Sequence, residues 1–212
     1  MVRITDKFKG LDQERQNRIL RAAFQEFGEH GYDKASTNRI VKEAGISKGM
    51  LFYYFNNKQE LFQDLLEIGI NYILNEYLSR IDEGPQDFFE RYRQASILKL
   101  EALSKQPEML QFFTCIYLKK VPDFLTPEIH ARLTEMRTLL LTKLSANVDT
   151  SRFRKDIPQE KSIQLIGWCM DGYEKMLTAK METVLNSELN LQSYFADYYE
   201  YLDLLRTVFY EN

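Results

Sequence analysis

The stretch that most constrains this chain is Thr37 to Phe62, TNRIVKEAGISKGMLFYYFNNKQELF. From Thr37 the apolar residues Ile40, Val41 and Ala44 fall at helical spacing. Gly45 then supplies a position that tolerates positive φ, and Ser47 is a natural cap for a following helix. That second helix carries Met50, Leu51, Phe52 and Phe55 as apolar positions. Lys48, Gly49, Tyr53 and Tyr54 add a cation, a point of close approach without a side chain, and two phenols. Asn57 to Glu60 spells a capping box, a polar cap with a carboxylate three residues later, and opens a third helix. A helix, a short glycine turn and a second short helix are the arrangement that places its second helix in the DNA major groove. The same turn joins helices in many proteins that never meet DNA, so the pattern by itself leaves both readings open.

Composition narrows the fold. With only 9 Gly and 5 Pro in 212 residues, and Leu, Ile, Phe and Tyr recurring periodically, the chain reads as all-α. It is long enough for one large domain or two modest ones. No run of about 18 apolar residues appears, and the polar start MVRITDKFKG lacks a hydrophobic signal core, which predicts a cytoplasmic protein. The net charge of −3 divides unevenly. Residues 1–60 hold 11 Lys and Arg against 8 Asp and Glu, and residues 61–212 hold 17 against 23. An excess of positive charge confined to the first segment suits nucleic-acid contact at that end. Cys115 and Cys169 have no CxxC spacing and sit within apolar helical patterns, which predicts two buried free thiols.

In chain order, residues 1–11 read as a polar, frayed tail, with Arg3, Lys7 and Lys9 leaving a DNA-reaching arm as the alternative. A first helix over 12–29 buries Ile19, Leu20, Ala23, Phe24 and Phe27 and stops near Gly31. The helix opening at Lys58 is expected to run to Ile81, about 35 Å, too long for one small domain and so a candidate lever into a second. Further helices are expected over 85–105, 107–120 and 127–144, followed by a loop over 145–157. Two long helices, 158–185 and 191–210, end the chain. Both are apolar over more than one face, so they need their own core and a second partner, such as another subunit.

No GxSxG, HExxH, GxxxxGK[ST] or GxGxxG motif is present, and His30 and His130 stand apart from any metal-spaced ligand set. The sequence therefore predicts no enzyme activity, no metal and no cofactor. A helical interaction module is the competing class, but it gives Lys48, Gly49 and Tyr53 no role.

The wording of the N-terminal segment goes further than its pattern. Ile19-Leu20-x-Ala22-Ala23-x-x-x-Phe27-x-x-x-Gly31-Tyr32, Thr37-x-x-Ile40 and Ala44-Gly45-Ile46-Ser47-x-Gly49 lead into Leu51-Phe52-x-Tyr54-Phe55-x-x-Lys58-x-x-Leu61. Over about 45 residues this resembles the DNA-binding domain of the TetR family of transcriptional regulators. The resemblance implies a three-helix helix-turn-helix domain over 1–57 and a helical effector-binding and dimerisation domain over 58–212. It implies a homodimer joined through the last two helices, a near-palindromic double-stranded operator, and a repressor released by a small hydrophobic effector. A regulator controlled instead by a protein partner or by its own abundance remains the alternative.

DNA contacts are expected from Ser36, Thr37, Ser47, Lys48, Gly49, Met50, Tyr53, Tyr54 and Lys58. Lys48 and Gly49 would meet base edges, Met50 a thymine methyl, and Thr37, Tyr53, Tyr54 and Lys58 phosphates. Phe52 stands where the family most often has a tyrosine, so that phosphate-contacting hydroxyl is missing. The effector site is expected among Phe112, Phe113, Tyr117, Met136, Trp168 and Met170, with Trp168 as its leading candidate.

Overall fold

The computed structural model describes residues 6–84, 86–118, 122–184 and 191–211; within these ranges the side chains of residues 6, 86, 117, 118, 177–184 and 191–195 are not described. The described chain is almost wholly helical. In order it forms α1 (Asp6–Lys9), α2 (Gln13–Lys34), α3 (Thr37–Ala44), α4 (Lys48–Phe55) and α5 (Lys58–Glu76). A 3₁₀ turn (Leu78–Arg80), β1 (Gln86–Asp87), α6 (Phe88–Ser104), α7 (Pro107–Leu118) and α8 (Pro127–Ser145) follow. The chain ends with β2 (Val148–Asp149), α9 (Gln159–Val184) and α10 (Leu191–Phe209). Contacts divide it into two compact units, Met1–Glu76 with Glu101–Arg137, and Tyr77–Leu100 with Thr138–Asn212.

In the first unit the core is aromatic. Phe62 packs edge-on against both Phe27 (5.1 Å) and Phe112 (5.2 Å), and Phe24 meets Phe112 at 5.2 Å. This brings α7 down onto α2. A Cβ added at Gly28 would lie 3.0 Å from the Phe112 backbone nitrogen, so glycine permits that close crossing. Gly31, at φ 69° and ψ 175°, breaks the helical path of α2 where a left-handed stop is expected. The chain nevertheless resumes a helical turn and ends at Lys34.

Within the expected frayed tail, where Arg3 lies outside the described residues, residues 6–9 instead form a helical turn and Phe8 is 1% exposed. Its ring packs on Phe55 (4.9 Å) and Tyr54 (5.8 Å). α5 ends at Glu76 instead of Ile81, with the 3₁₀ turn taking up the difference.

The second unit is built on Phe88, Phe89, Phe153, Ile166, Met170, Tyr173, Leu202, Phe209 and Tyr210, all buried. The segment after α8 is more ordered than a plain loop. β2 pairs in parallel with β1, and Phe153 bridges to Tyr210. Arg91, 1% exposed, donates to the carbonyls of Lys143, Ala146 and Gly84, so the end of α8 caps a buried guanidinium.

On α9 the buried positions are Ser162, Ile166, Met170 and Tyr173, a single stripe at spacings of three and four. Leu165, Trp168, Cys169, Gly172 and Met176 repeat the same spacing on the opposite side and are exposed. The expectation of two buried thiols therefore holds for Cys115 and fails for Cys169, which lies on the outer stripe.

Candidate nucleic-acid interface

The helix-turn-helix is assembled from local signals. Gly45 takes φ 64° and ψ 38°, in the left-handed region. Its N–H donates to Lys42 O and the Ile46 N–H to Val41 O at 3.0 Å, a Schellman closure that ends α3. Ser47 Oγ accepts the Met50 N–H at 3.2 Å, and Leu51 N–H returns to Ser47 O at 3.1 Å, which starts α4. Asn57 Oδ1 accepts the Glu60 N–H at 2.8 Å, while Asn57 Nδ2 donates to Glu60 Oε1 at 2.9 Å. The side chains of the expected capping box do meet, and α5 starts from it.

α4 presents a sharply divided surface despite being apolar nearly all round. Leu51, Tyr54 and Phe55 are buried, whereas Ser47, Lys48, Gly49 and Tyr53 are exposed. A Cβ built at Gly49 would meet nothing closer than Ser47 Oγ at 3.9 Å, so the backbone there is open to an approaching group. Tyr53 is 56% exposed, unusual for so large a ring. Met50 is half-buried, with Arg15 Nη2 3.9 Å from its sulfur.

The two phenols thus have different places. Tyr54 is 5% exposed, and its ring is part of the domain core beneath α4, so the expectation that it reaches a phosphate does not fit its burial. Its spacing of three from Leu51 puts it on the inner face.

Lys58 is half-buried, its ammonium 4.6 Å over the Tyr32 ring and 3.4 Å from Asp33 O. Burial pulls it below the usual lysine range, against the opposing pull of Asp33 and Glu26. It ties the start of α5 to the end of α2, with part of its charge still facing outward. Ser36 and Thr37 are half-buried at the start of α3, and the Ser36 side chain makes no cap bond to that helix.

A residue that sequence reading passed over does that work. Glu26 on α2, 7% exposed, accepts the Ser36 N–H at 2.7 Å and both Nε and Nη2 of Arg39. Burial works to raise its pKa, but the bonds from Arg39 and Ser36 outweigh it, and the carboxyl lies below the ordinary range. Arg39 also donates to Lys34 O at 3.0 Å. One carboxylate thereby fixes the start of α3 against α2. An acidic residue directly before Phe27, the last member of an apolar helical stripe, gives no local sign of this.

The six residues expected around an effector lie apart in their surroundings. Phe112 is wholly buried in the first unit's core, and Phe113 and Met136 are half-buried in that unit. Met170 is buried in the second unit. Trp168 is 63% exposed on the outer stripe of α9, not turned toward that unit's own core as a pocket-lining role requires. The Tyr117 side chain lies outside the described residues.

Two clefts are present in the first unit. One of about 380 Å³ lies among Leu20, Phe24, Ile68, Tyr72 and Met109, and one of about 560 Å³ among Phe27, Tyr32, Phe62, Cys115 and Phe124. Neither takes in any of the six residues. Among the described residues no group of His, Cys, Asp and Glu is placed to hold a metal ion, and no helix is long and apolar enough to cross a membrane.

Residues 19–65, which hold α3, α4 and the start of α5, match the family model for bacterial regulatory proteins of the tetR family. The chain is 29% identical over 180 residues to the HTH-type transcriptional repressor AcnR of Corynebacterium efficiens, covering 81% of this chain and 86% of that protein. Its fold matches a TetR family transcriptional regulator from Chloroflexus aurantiacus with a TM-score of 0.66 at 19% identity, over 99% of both chains. It also matches the ketosteroid transcriptional regulator KstR2 of Mycobacterium tuberculosis with a TM-score of 0.61 at 16% identity, over 95% of this chain and 97% of that one. With a Schellman-closed turn and an exposed Lys48–Gly49 start to α4, residues 19–65 carry the DNA-binding domain of the tetR family of bacterial regulatory proteins, and the chain is similar to TetR-family transcriptional regulators along its length.

Proposed function

We propose that this regulator is a cytoplasmic repressor that binds a near-palindromic operator as a homodimer and leaves it when a small, largely apolar molecule binds. The observation that carries the DNA-docking part is the exposed start of α4. There a cation (Lys48), an open backbone (Gly49) and an exposed phenol (Tyr53) share the surface of a helix whose other side is locked into the core. On this reading residues 1–57 hold the docking surface and residues 58–212 hold dimerisation and sensing. Lys48 donates to guanine O6 and N7 or to a phosphate, and Gly49 lets the backbone approach the groove. Ser47, Met50, Tyr53, Thr37, Ser36 and Lys58 surround that contact, with Tyr53 as the phenol that reaches a phosphate.

Dimerisation is supported by the outer stripes of the last two helices. Leu165, Trp168 and Met176 on α9 and Tyr201, Leu204 and Val208 on α10 supply six of the nine large hydrophobic side chains exposed among the described residues. An apolar surplus of that kind, repeated at helical spacing, is what a second copy covers. A two-fold dimer would set the recognition helices at half-sites about 34–36 Å apart or a multiple of that distance. Trp168 then belongs to this surface and reports on it.

The repression part is supported by the likeness to the repressor AcnR. Gel shifts against fragments of the source genome with competitor DNA test the docking. Sedimentation at micromolar concentration tests the dimer, which a monomer would refute. Titrating apolar compounds with and without operator tests release. Linkage requires operator to weaken the effector by the same factor as effector weakens operator, so a compound bound equally in both cases is not the inducer. Equal binding by every compound would favour control by a protein partner or by abundance.

A further inference from the structure

We propose that α1 is a second, fixed point of contact with the DNA backbone, in which the Lys7 ammonium, seated on the exposed Tyr53 ring, holds a phosphate beside the recognition helix. The proposal rests on α4 being the docking helix and adds a contact from outside the helix-turn-helix.

α1 is fastened before any DNA arrives. Phe8 is 1% exposed, with its ring against Phe55 and Tyr54 on the inner side of α4. Gln16 Nε2 donates to Lys9 O at 3.2 Å and to Leu11 O at 2.8 Å, and the Leu11 N–H returns to Phe8 O at 3.1 Å. A polar tail has no use for a buried phenylalanine, nor for a glutamine holding two of its carbonyls.

This anchoring determines where Lys7 lies. Neighbouring residues of a helix point about 100° apart, so an inward Phe8 turns Lys7 toward the rim of α4. Its Nζ stands 4.0 Å from the centroid of the Tyr53 ring, and Tyr53 follows Gly49 by four residues on the exposed face of α4. An aromatic face orients an ammonium without neutralising it. The lysine stem, normally free to sample many rotamers, is already held at the edge of the docking surface, so less freedom is lost when a phosphate binds.

The test measures the affinity of the full chain for a mixed-sequence duplex of about 30 base pairs by fluorescence anisotropy, from low to physiological salt. Lys7→Met keeps the stem and removes the charge. It should lower the slope of log affinity against log salt by about 1 and leave the melting temperature unchanged. Phe8→Ala frees α1 but keeps the lysine, and should lower the slope to the same extent. Tyr53→Leu removes the seat, so adding Lys7→Met to it should change the slope far less than in the parent. Lys48→Ala is the control for the docking face. If Lys48→Ala weakens binding while Lys7→Met leaves slope and affinity untouched, the α1 contact is wrong and the docking helix stands. If Lys48→Ala also binds as the parent does, or the parent fails to bind the duplex at low salt, the docking reading itself fails.

Discussion

Glu26 offers the sharpest test of how this DNA-binding domain is held together. Replacing it with alanine removes the acceptor for the Ser36 N–H and the carboxylate that holds the fork of Arg39. Removing one member of a buried pair typically costs about 3–5 kcal/mol. Here the Arg39 side chain is 52% exposed, so its guanidinium rehydrates and does not stay behind as a stranded charge. What remains is an unsatisfied N–H at the start of α3, about 1–3 kcal/mol, plus a small void where the side chain lay. Glu26→Ala should therefore destabilise by about 2–4 kcal/mol, a fall in melting temperature of about 4–16 °C for a chain of this size. Glu26→Gln keeps one acceptor oxygen and should lose roughly half as much.

The pH dependence separates charge from shape. The native Glu26 carboxyl lies below its unfolded value of 4.5, so its contribution is fully present above that value and fades as pH falls through the native one. The stability gap between parent and Glu26→Gln should be constant near neutrality and close on acidification. Denaturant melts across that range measure both effects. A Glu26→Ala protein within about 0.5 kcal/mol of the parent, or a Gln gap that widens in acid, would show that the carboxylate does not fix α3.

Three other substitutions probe the remaining surfaces. Gly28→Ala gains helix propensity of about 1 kcal/mol, yet its Cβ would sit 3.0–3.1 Å from the α7 backbone, which cannot rotate away. The overpacking term of about 1–3 kcal/mol should win, giving a modest net loss in calorimetry; a more stable variant would mean that α7 shifts freely. Lys48→Ala should cost about 1–3 kcal/mol on a specific operator if the lysine reads a base, whereas Tyr53→Phe should weaken all sequences alike; competition gel shifts separate the two. Leu204→Arg, at a position 58% exposed, should leave the melting of the isolated fold nearly unchanged and yield a monomer in sedimentation, and a persisting dimer would place the interface elsewhere.

How much of this was legible in the sequence follows from the range of the forces involved. Gly45, Ser47 and the Asn57–Glu60 pair act within three to five residues of themselves, so their chemistry could be read from neighbours, and the turn and both helix starts appear where those residues put them. Phe8 and Glu26 act across 47 and 13 positions respectively, onto Phe55 and Arg39, and no local pattern announces such a partner. An isolated phenylalanine in a polar tail was the one available sign.

The misplaced aromatic residues share a cause. From Met50 to Phe55 every residue of α4 is apolar or aromatic, so composition cannot say which phenol faces the core. Counting three and four from Leu51, which is wholly buried, does select Tyr54 and Phe55 as inward and releases Tyr53 to the surface. On α9 the same counting from Ile166 and Met170 puts Trp168 about 200° from the first and, by the same measure, from the second, squarely on the outer stripe. Both helices carry more apolar surface than one core can cover. On α4 the surplus includes Tyr53, whose ring seats a cation; it repeats over about three helical turns on α9 and about two on α10, a length suited to another helix. The physical distinction between the two surfaces is therefore the company the exposed rings keep. Lys7 on the Tyr53 ring and Lys48 exposed on the same helix as that ring favour a polyanion, whereas Leu165 and Met176 on the helix of Trp168, and Leu204 on that of Tyr201, favour a second apolar face.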